Sequence, residues 1–113
     1  MKSVWVVIAA FNEGRTIRAV VESLAAYNVV VVDDGSTDST PRELVGTHAH
    51  VLRHMVNQGQ GAALQTGIAY ALKEGAQFLV TFDADGQHSA ADIPRMVQPL
   101  TTGAHDVALG TCF

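Results

Sequence analysis

The stretch Phe78-Leu-Val-Thr-Phe-Asp83-Ala-Asp85-Gly-Gln87 limits the possible folds of this chain more than any other. Its near-continuous apolar run predicts a strand covered on both faces, as in a parallel sheet. Ligands of such sheets bind outside the carboxyl ends of the strands. Asp83 and Asp85 lie two residues apart, so on extended backbone both side chains point the same way. Two neighbouring carboxylates repel each other, and a divalent cation removes that cost. An all-oxygen donor set suits Mg²⁺ or Mn²⁺. The competing reading is a strand-end turn with solvated acids, because Asp-Xaa-Asp-Gly is common at turns.

Other short apolar runs alternate with helical patterns. Val4–Ala10 predicts a first strand, closed by the polar turn Phe11-Asn12-Glu13-Gly14. From Arg15 to Ala26, Ile17, Val20, Val21 and Leu24 fall on one helical stripe. Val29–Val32 is four β-branched residues in a row and predicts strand 2, ending in Asp33-Asp34-Gly35-Ser36-Thr37-Asp38. Thr40, Pro41 and Glu43 predict a short helix opened by a capping box and closed at Gly46. Val51–His54 predicts strand 3. The glycine-rich turn Asn57-Gln-Gly59-Gln-Gly61 then leads into a helix over Ala62–Lys73, with Leu64, Ile68, Ala71 and Leu72 on one side. A helix capped by Ser89, carrying Met96, Val97 and Leu100 inward, and a strand over Asp106–Leu109 complete the pattern. The order β-α-β-α-β-α-β-α-β predicts one α/β domain over residues 1–113, a three-layer α/β/α sandwich on a mostly parallel, Rossmann-like sheet.

Composition narrows the function. With 48% hydrophobic and 16% charged residues the chain is globular, and a net charge of -4 argues against general nucleic-acid binding. No apolar run is long enough to cross a bilayer. No signal-peptide cleavage pattern follows Lys2, and the single Cys112 cannot form an internal disulfide. The expected location is cytoplasmic, at most peripheral to a membrane.

Polar residues gather at three strand ends: Asn12-Glu13, Asp33-Asp34 and Asp83-Asp85. A parallel sheet brings these ends to one rim. A carboxylate after strand 2 can accept hydrogen bonds from a base or ribose, and a carboxylate pair after strand 4 can hold a metal on phosphates. Gly59 and Gly61 let backbone approach a ligand before a helix starts. Each piece has an ordinary structural alternative. Asp33-Asp34-Gly35-Ser36 can be a capping turn, Glu13 a first-turn acid, and the glycine turn a plain loop that lacks the lysine of a P-loop. Trp5 and the phenylalanines read as core. His48, His50, His54 and His105 show no ligand spacing, and His88 reads as a solvated loop residue.

Taken together, Val7-Ile-Ala-Ala-Phe-Asn-Glu13, Val31-Val-Asp-Asp-Gly-Ser-Thr-Asp38, Asn57-Gln-Gly-Gln-Gly-Ala-Ala63 and Phe82-Asp-Ala-Asp-Gly-Gln-His88 resemble the family 2 glycosyltransferases, in order and in register. The resemblance extends over essentially the whole chain and is strongest to the dolichyl-phosphate mannosyltransferase and polyprenyl-phosphate glycosyltransferase branch. It implies a GT-A fold and inverting transfer of a sugar from a nucleotide-diphosphate donor, a UDP- or GDP-sugar, with Mg²⁺ or Mn²⁺ and a lipid phosphate as acceptor. The implied nucleotide-binding set is Ala9, Phe11, Glu13, Asp33, Asp34, Gly61, Asp83 and Ala84. The implied metal set is Asp83, Asp85 and Gln87, with the metal acting as a Lewis acid on the leaving group.

Two features depart from the family pattern. Ala9 stands where proline is usual, and Cys112 stands where Leu109-Gly-Thr-Cys-Phe113 resembles a closing segment with a phosphate-contacting arginine. The matched region stops where the acceptor-binding half would begin, so the chain reads as a donor-binding half truncated at its carboxyl end, with no catalytic base assigned. A degenerate nucleotide-binding or interaction module is the alternative. In either case an exposed sheet edge near the fifth strand is expected to favour self-association. A haloacid-dehalogenase-type phosphatase and a phospho-receiver domain fit less well, because their acidic loops follow other strands.

Overall fold

The computed structural model describes residues 4–84 and 106–108. Among these residues, five strands and three helices follow in the order β1 (Val4–Ala10), α1 (Ile17–Ser23), β2 (Asn28–Asp34), α2 (Thr40–Glu43), β3 (His50–His54), α3 (Gln60–Lys73), β4 (Phe78–Asp83) and β5 (Asp106–Ala108). The strands form one sheet in the order β3-β2-β1-β4-β5, and every neighbouring pair is parallel. The chain winds outward from β1 to β3, then returns to β4 on the other side of β1. That reversal is the topological switch point of an open α/β sheet.

Strand alternation divides the core into two layers. Val4, Val6, Ile8 and Ala10 of β1 face Ile17, Val20, Val21 and Leu24, together with Leu44 at the end of α2. Trp5 and Val7 face the opposite way, toward Leu64 and Ala71 of α3. The expected α1 stripe is buried in full, and Trp5 is core as expected. On α3 the inward stripe is narrower than its large apolar residues suggest. Ala63, Leu64, Gly67 and Ala71 are buried, whereas Leu72 is exposed. Gly67 explains the difference: a Cβ there would lie 2.5 Å from Val7 Cγ1. The helix therefore sits close on the sheet through small residues, and Leu72 falls outside the seam.

Three local expectations change. β2 runs on through Asp33 and Asp34, because these residues pair with Arg53 and His54 of β3 and so extend the ladder. α3 begins at Gln60, which places Gly61 in its first turn and not in the preceding loop. Thr40 lies inside α2 and caps nothing; the N-cap position is Ser39, without a side-chain cap bond. The Thr40 hydroxyl instead bonds Asp38 and accepts from the Glu13 amide. The expected helix after Ser89, with Met96, Val97 and Leu100, lies outside the described residues, as do Asp85, Gln87, His88, His105 and Cys112.

Candidate functional site at the carboxyl rim of the sheet

The parallel register fixes the rim. Ala10 pairs with Asp33 on one side of β1, and Ala9 pairs with Asp83 on the other. With strands about 4.8 Å apart, the backbones of Asp33 and Asp83 flank the switch point at a separation of about 10 Å. Asp85 and Gln87, which complete the expected metal set, lie outside the described residues. Among the described residues no group of three His, Cys, Asp or Glu side chains could hold a metal ion.

Asp33 and Asp34 are adjacent in sequence but face opposite layers. Asp33 lies on the α1–α2 side, fully buried. Its Oδ1 accepts from the Ser36 amide at 3.0 Å, while its Oδ2 has no hydrogen-bond partner among the described residues. Arg53, half-exposed on the neighbouring strand, has its Nε 3.8 Å from Oδ2. Asp34 lies on the α3 side with both oxygens engaged. Oδ1 accepts from His54 Nδ1 at 2.8 Å and from the Gln58 amide at 2.9 Å, and Oδ2 accepts from the Gly59 amide at 2.8 Å. Burial pushes the Asp34 carboxyl up, but the Gln58 amide, the His54 ring and the Gly59 amide outweigh it and hold the group below the usual carboxylate range. The carboxylate therefore clamps the glycine turn to β2. It also places a negative charge at the N-terminus of α3, where the helix dipole favours it.

The loop after β1 is held by the loop after β2. Asn12 adopts φ 54°, the left-handed region that its short polar side chain tolerates. Its amide donates to Ser36 Oγ at 2.9 Å, and its side-chain oxygen accepts from the Thr37 amide at 2.9 Å. The Gly14 amide donates to Asp38 Oδ2 at 3.1 Å. Hydrogen bonds from the Thr40 hydroxyl and amide keep the Asp38 carboxyl below its ordinary range. This cross-linking leaves Phe11 projecting from the rim at 44% exposure, so it is not core. Ala9 and Glu13 are half-buried beside it. Glu13 precedes α1 and is not a first-turn acid of that helix.

Ala84 is buried, and its carbonyl accepts from the Thr16 hydroxyl. That bond anchors the start of the acidic turn to α1 and explains why Thr16, at the N-cap position, makes no cap bond of its own. Gly59 needs to be glycine for its φ of 100°. Gly61 does not need it for space, since a Cβ there would meet nothing within 4 Å.

Several site residues had no assigned role in the sequence: His54, Thr66, Ser36 and Asp38. His54 is the last residue of its strand and Asp34 the last of its own. Aligning the carboxyl ends of neighbouring strands was the available signal for their contact.

Comparison with known proteins agrees with this fold. The family model described as "Glycosyl transferase family 2" matches residues 5–113. A UDP-N-acetylglucosamine–dolichyl-phosphate N-acetylglucosaminyltransferase from Methanococcus voltae is 33% identical over 130 residues, which cover 97% of this chain and 52% of the relative. Among solved structures, glucosyl-3-phosphoglycerate synthase from Mycobacterium tuberculosis, in complex with Mn²⁺, UDP and glucosyl-3-phosphoglycerate, superposes with a TM-score of 0.73 at 29% identity, covering 88% of this chain and 40% of that one. A mannosyltransferase from Pyrobaculum calidifontis in complex with GDP-Man and Mn²⁺ gives a TM-score of 0.67 at 25% identity, covering 80% of this chain and 29% of that one. The chain thus spans about half the length of the curated relatives it matches.

Proposed function

The chain belongs to glycosyl transferase family 2, and from that premise we propose that it binds a nucleotide-diphosphate sugar, a UDP- or GDP-sugar, through a divalent cation for inverting transfer to a polyprenyl phosphate. The observation that carries this reading is the register at the rim. The acid-bearing ends of β2 and β4 flank β1 at the topological switch point, where open α/β sheets bind their ligands. The buried Oδ2 of Asp33 adds an acceptor left unsatisfied by the described residues, and the exposed ring of Phe11 offers a flat surface at the same rim.

Asp83, Asp85 and Gln87 are the residues that would hold Mg²⁺ or Mn²⁺. All-oxygen donors fit a hard cation, and β4 delivers Asp83 to the rim. A bound cation there supplies Lewis-acid stabilisation of the departing diphosphate. The lipid-phosphate acceptor is supported by the dolichyl-phosphate named for the M. voltae relative. Among the described residues no helix is long and apolar enough to cross a membrane, so contact with a lipid acceptor through these residues would be peripheral.

The test is a thermal-shift panel of UDP, GDP, TDP and CDP, each with and without Mn²⁺. A nucleotide at a hundred times its Kd adds about 2.7 kcal/mol, a rise of roughly 10 °C for a domain of this size. A metal-dependent rise for one base supports the donor site. No rise for any of them, from folded protein, refutes it and favours a module that binds no nucleotide. An Asp85→Asn variant that binds as tightly as wild type would remove the metal role.

A further inference from the structure

His54 belongs to no motif, yet its side chain is 11% exposed and both ring nitrogens have partners across three elements. Nδ1 meets Asp34 Oδ1 at 2.8 Å on β2, and Nε2 meets Thr66 Oγ1 at 2.9 Å on α3. Asp34 in turn receives the Gln58 and Gly59 amides. We propose that His54 is a positioning residue of the donor site: it holds Asp34 from one ring nitrogen and α3 from the other, and thereby sets the glycine turn at the rim. The link to donor binding rests on the functional reading above.

Proton counting gives the inference its detail. A carboxylate only accepts, so Nδ1 carries a proton whenever the Asp34 bond is made. Thr66 has one hydroxyl proton, and Ala62 O lies 3.0 Å from Oγ1 as a second acceptor. When the ring is charged, Nε2 donates to Thr66 and the hydroxyl donates to Ala62 O. When the ring is neutral, the hydroxyl turns to Nε2 and releases Ala62 O. The Asp34 contact survives both states, and the Thr66 rotor takes up the difference. The other ionisable groups nearby are otherwise engaged: Arg53 faces Asp33, and His50 bonds the Tyr70 hydroxyl. Asp34 is therefore the charged partner of the ring among the described residues.

Long-range ¹⁵N–¹H spectra of the full chain, recorded from about pH 5 to pH 9, read the tautomer directly. The Nδ1–H form is expected once the ring is neutral; the Nε2–H form overturns the proposal. Variants test the positioning. His54→Leu should raise amide exchange at Gln58 and Gly59 by about tenfold or more, the scale of one hydrogen bond to a charged group. It should weaken Mn²⁺-dependent binding of the preferred nucleotide by a similar factor. His54→Asn, whose amide can stand in for Nδ1, should restore both to within about threefold. Unchanged exchange in His54→Leu, or equal losses in both variants, overturns the proposal. Should His54→Leu fail to fold, His54→Asn and the wild-type tautomer still decide. Should the wild type bind no nucleotide, the donor reading fails while the exchange and tautomer results still judge the clamp.

Discussion

Replacing Asp34 with asparagine separates the two neighbouring acids by role. The carboxylate takes two donors on Oδ1 and one on Oδ2. An amide offers a single acceptor oxygen, and its NH₂ must face at least one of the three N–H groups. One charge-assisted bond, worth about 1.5–3 kcal/mol, is lost outright, and the other two fall to the neutral scale, about 1 kcal/mol weaker each. The expected loss for Asp34→Asn is about 4 kcal/mol, a fall in Tm of about 15 °C. Asp33→Asn is the control. It keeps the Ser36 bond and alters only Oδ2, whose ion-pair partner among the described residues is a half-exposed arginine at 3.8 Å, so it should cost under about 1 kcal/mol. The pH dependence follows in sign. Because the folded Asp34 pKa is depressed, its contribution is fully present above the unfolded value near 3.9 and is lost as pH falls through the folded pKa. Wild type should therefore lose more stability than Asp34→Asn as pH drops from about 5 toward 2. Chemical denaturation of both variants over that range is the assay. Equal losses for Asp33→Asn and Asp34→Asn at neutral pH would refute the reasoning.

Further substitutions probe the packing around the site. Gly35→Ala should destabilise by about 1–3 kcal/mol: its φ is 78°, and a Cβ would lie 2.6 Å from the Asn57 backbone nitrogen, where nothing flexible can yield. Urea midpoints at constant m-value measure this. Gly67→Val should cost about 1–3 kcal/mol by pushing α3 off Val7 and Val32, and its Tm would then fall together with near-ultraviolet signal from Trp5. Thr16→Val removes the bond to the Ala84 carbonyl and should cost about 1 kcal/mol while weakening metal-dependent nucleotide binding. An unchanged apparent metal affinity in Thr16→Val would show that this anchor does not position the acidic turn.

The architecture was legible because period and run length agree in each segment. Val4–Ala10 and Phe78–Asp83 have the strand bounds the apolar runs suggest, and the α1 stripe is the buried one. Boundaries failed where tertiary partners extend or divert an element. Asp33 and Asp34 read as a turn because acids disfavour strands, yet Arg53 and His54 pair with them and lengthen β2. Thr40 carries a capping-box spacing, but its hydroxyl is drawn to Asp38 and the Glu13 amide, which no local pattern encodes. Leu72 is apolar enough to suggest an inward position, but hydrophobicity alone carries no information on how closely a helix sits on its sheet. A helix seated through Ala63, Gly67 and Ala71 presents small residues to the sheet and leaves the larger one outside.

The rim shows a sharper division. That three polar strand ends meet follows from parallel pairing alone, and could be inferred before any coordinate. That Asp33 and Asp34 act on opposite faces also follows from the period of two along a strand. What each of them meets does not follow, because partners are chosen by the register of β2 against β3, and that register depends on how α2 and its loops span the crossover. Register places His54 beside Asp34 and Arg53 beside Asp33. It thereby gives one carboxylate a full set of donors and leaves the other with an oxygen that has no partner among the described residues. An acid already saturated by protein donors has little left to offer a ligand, whereas an acid with a buried unsatisfied oxygen gains from any donor that reaches it. Of the two, Asp33 is therefore the stronger candidate to contact a nucleotide, and Asp34 the stronger candidate to hold the loop beside it.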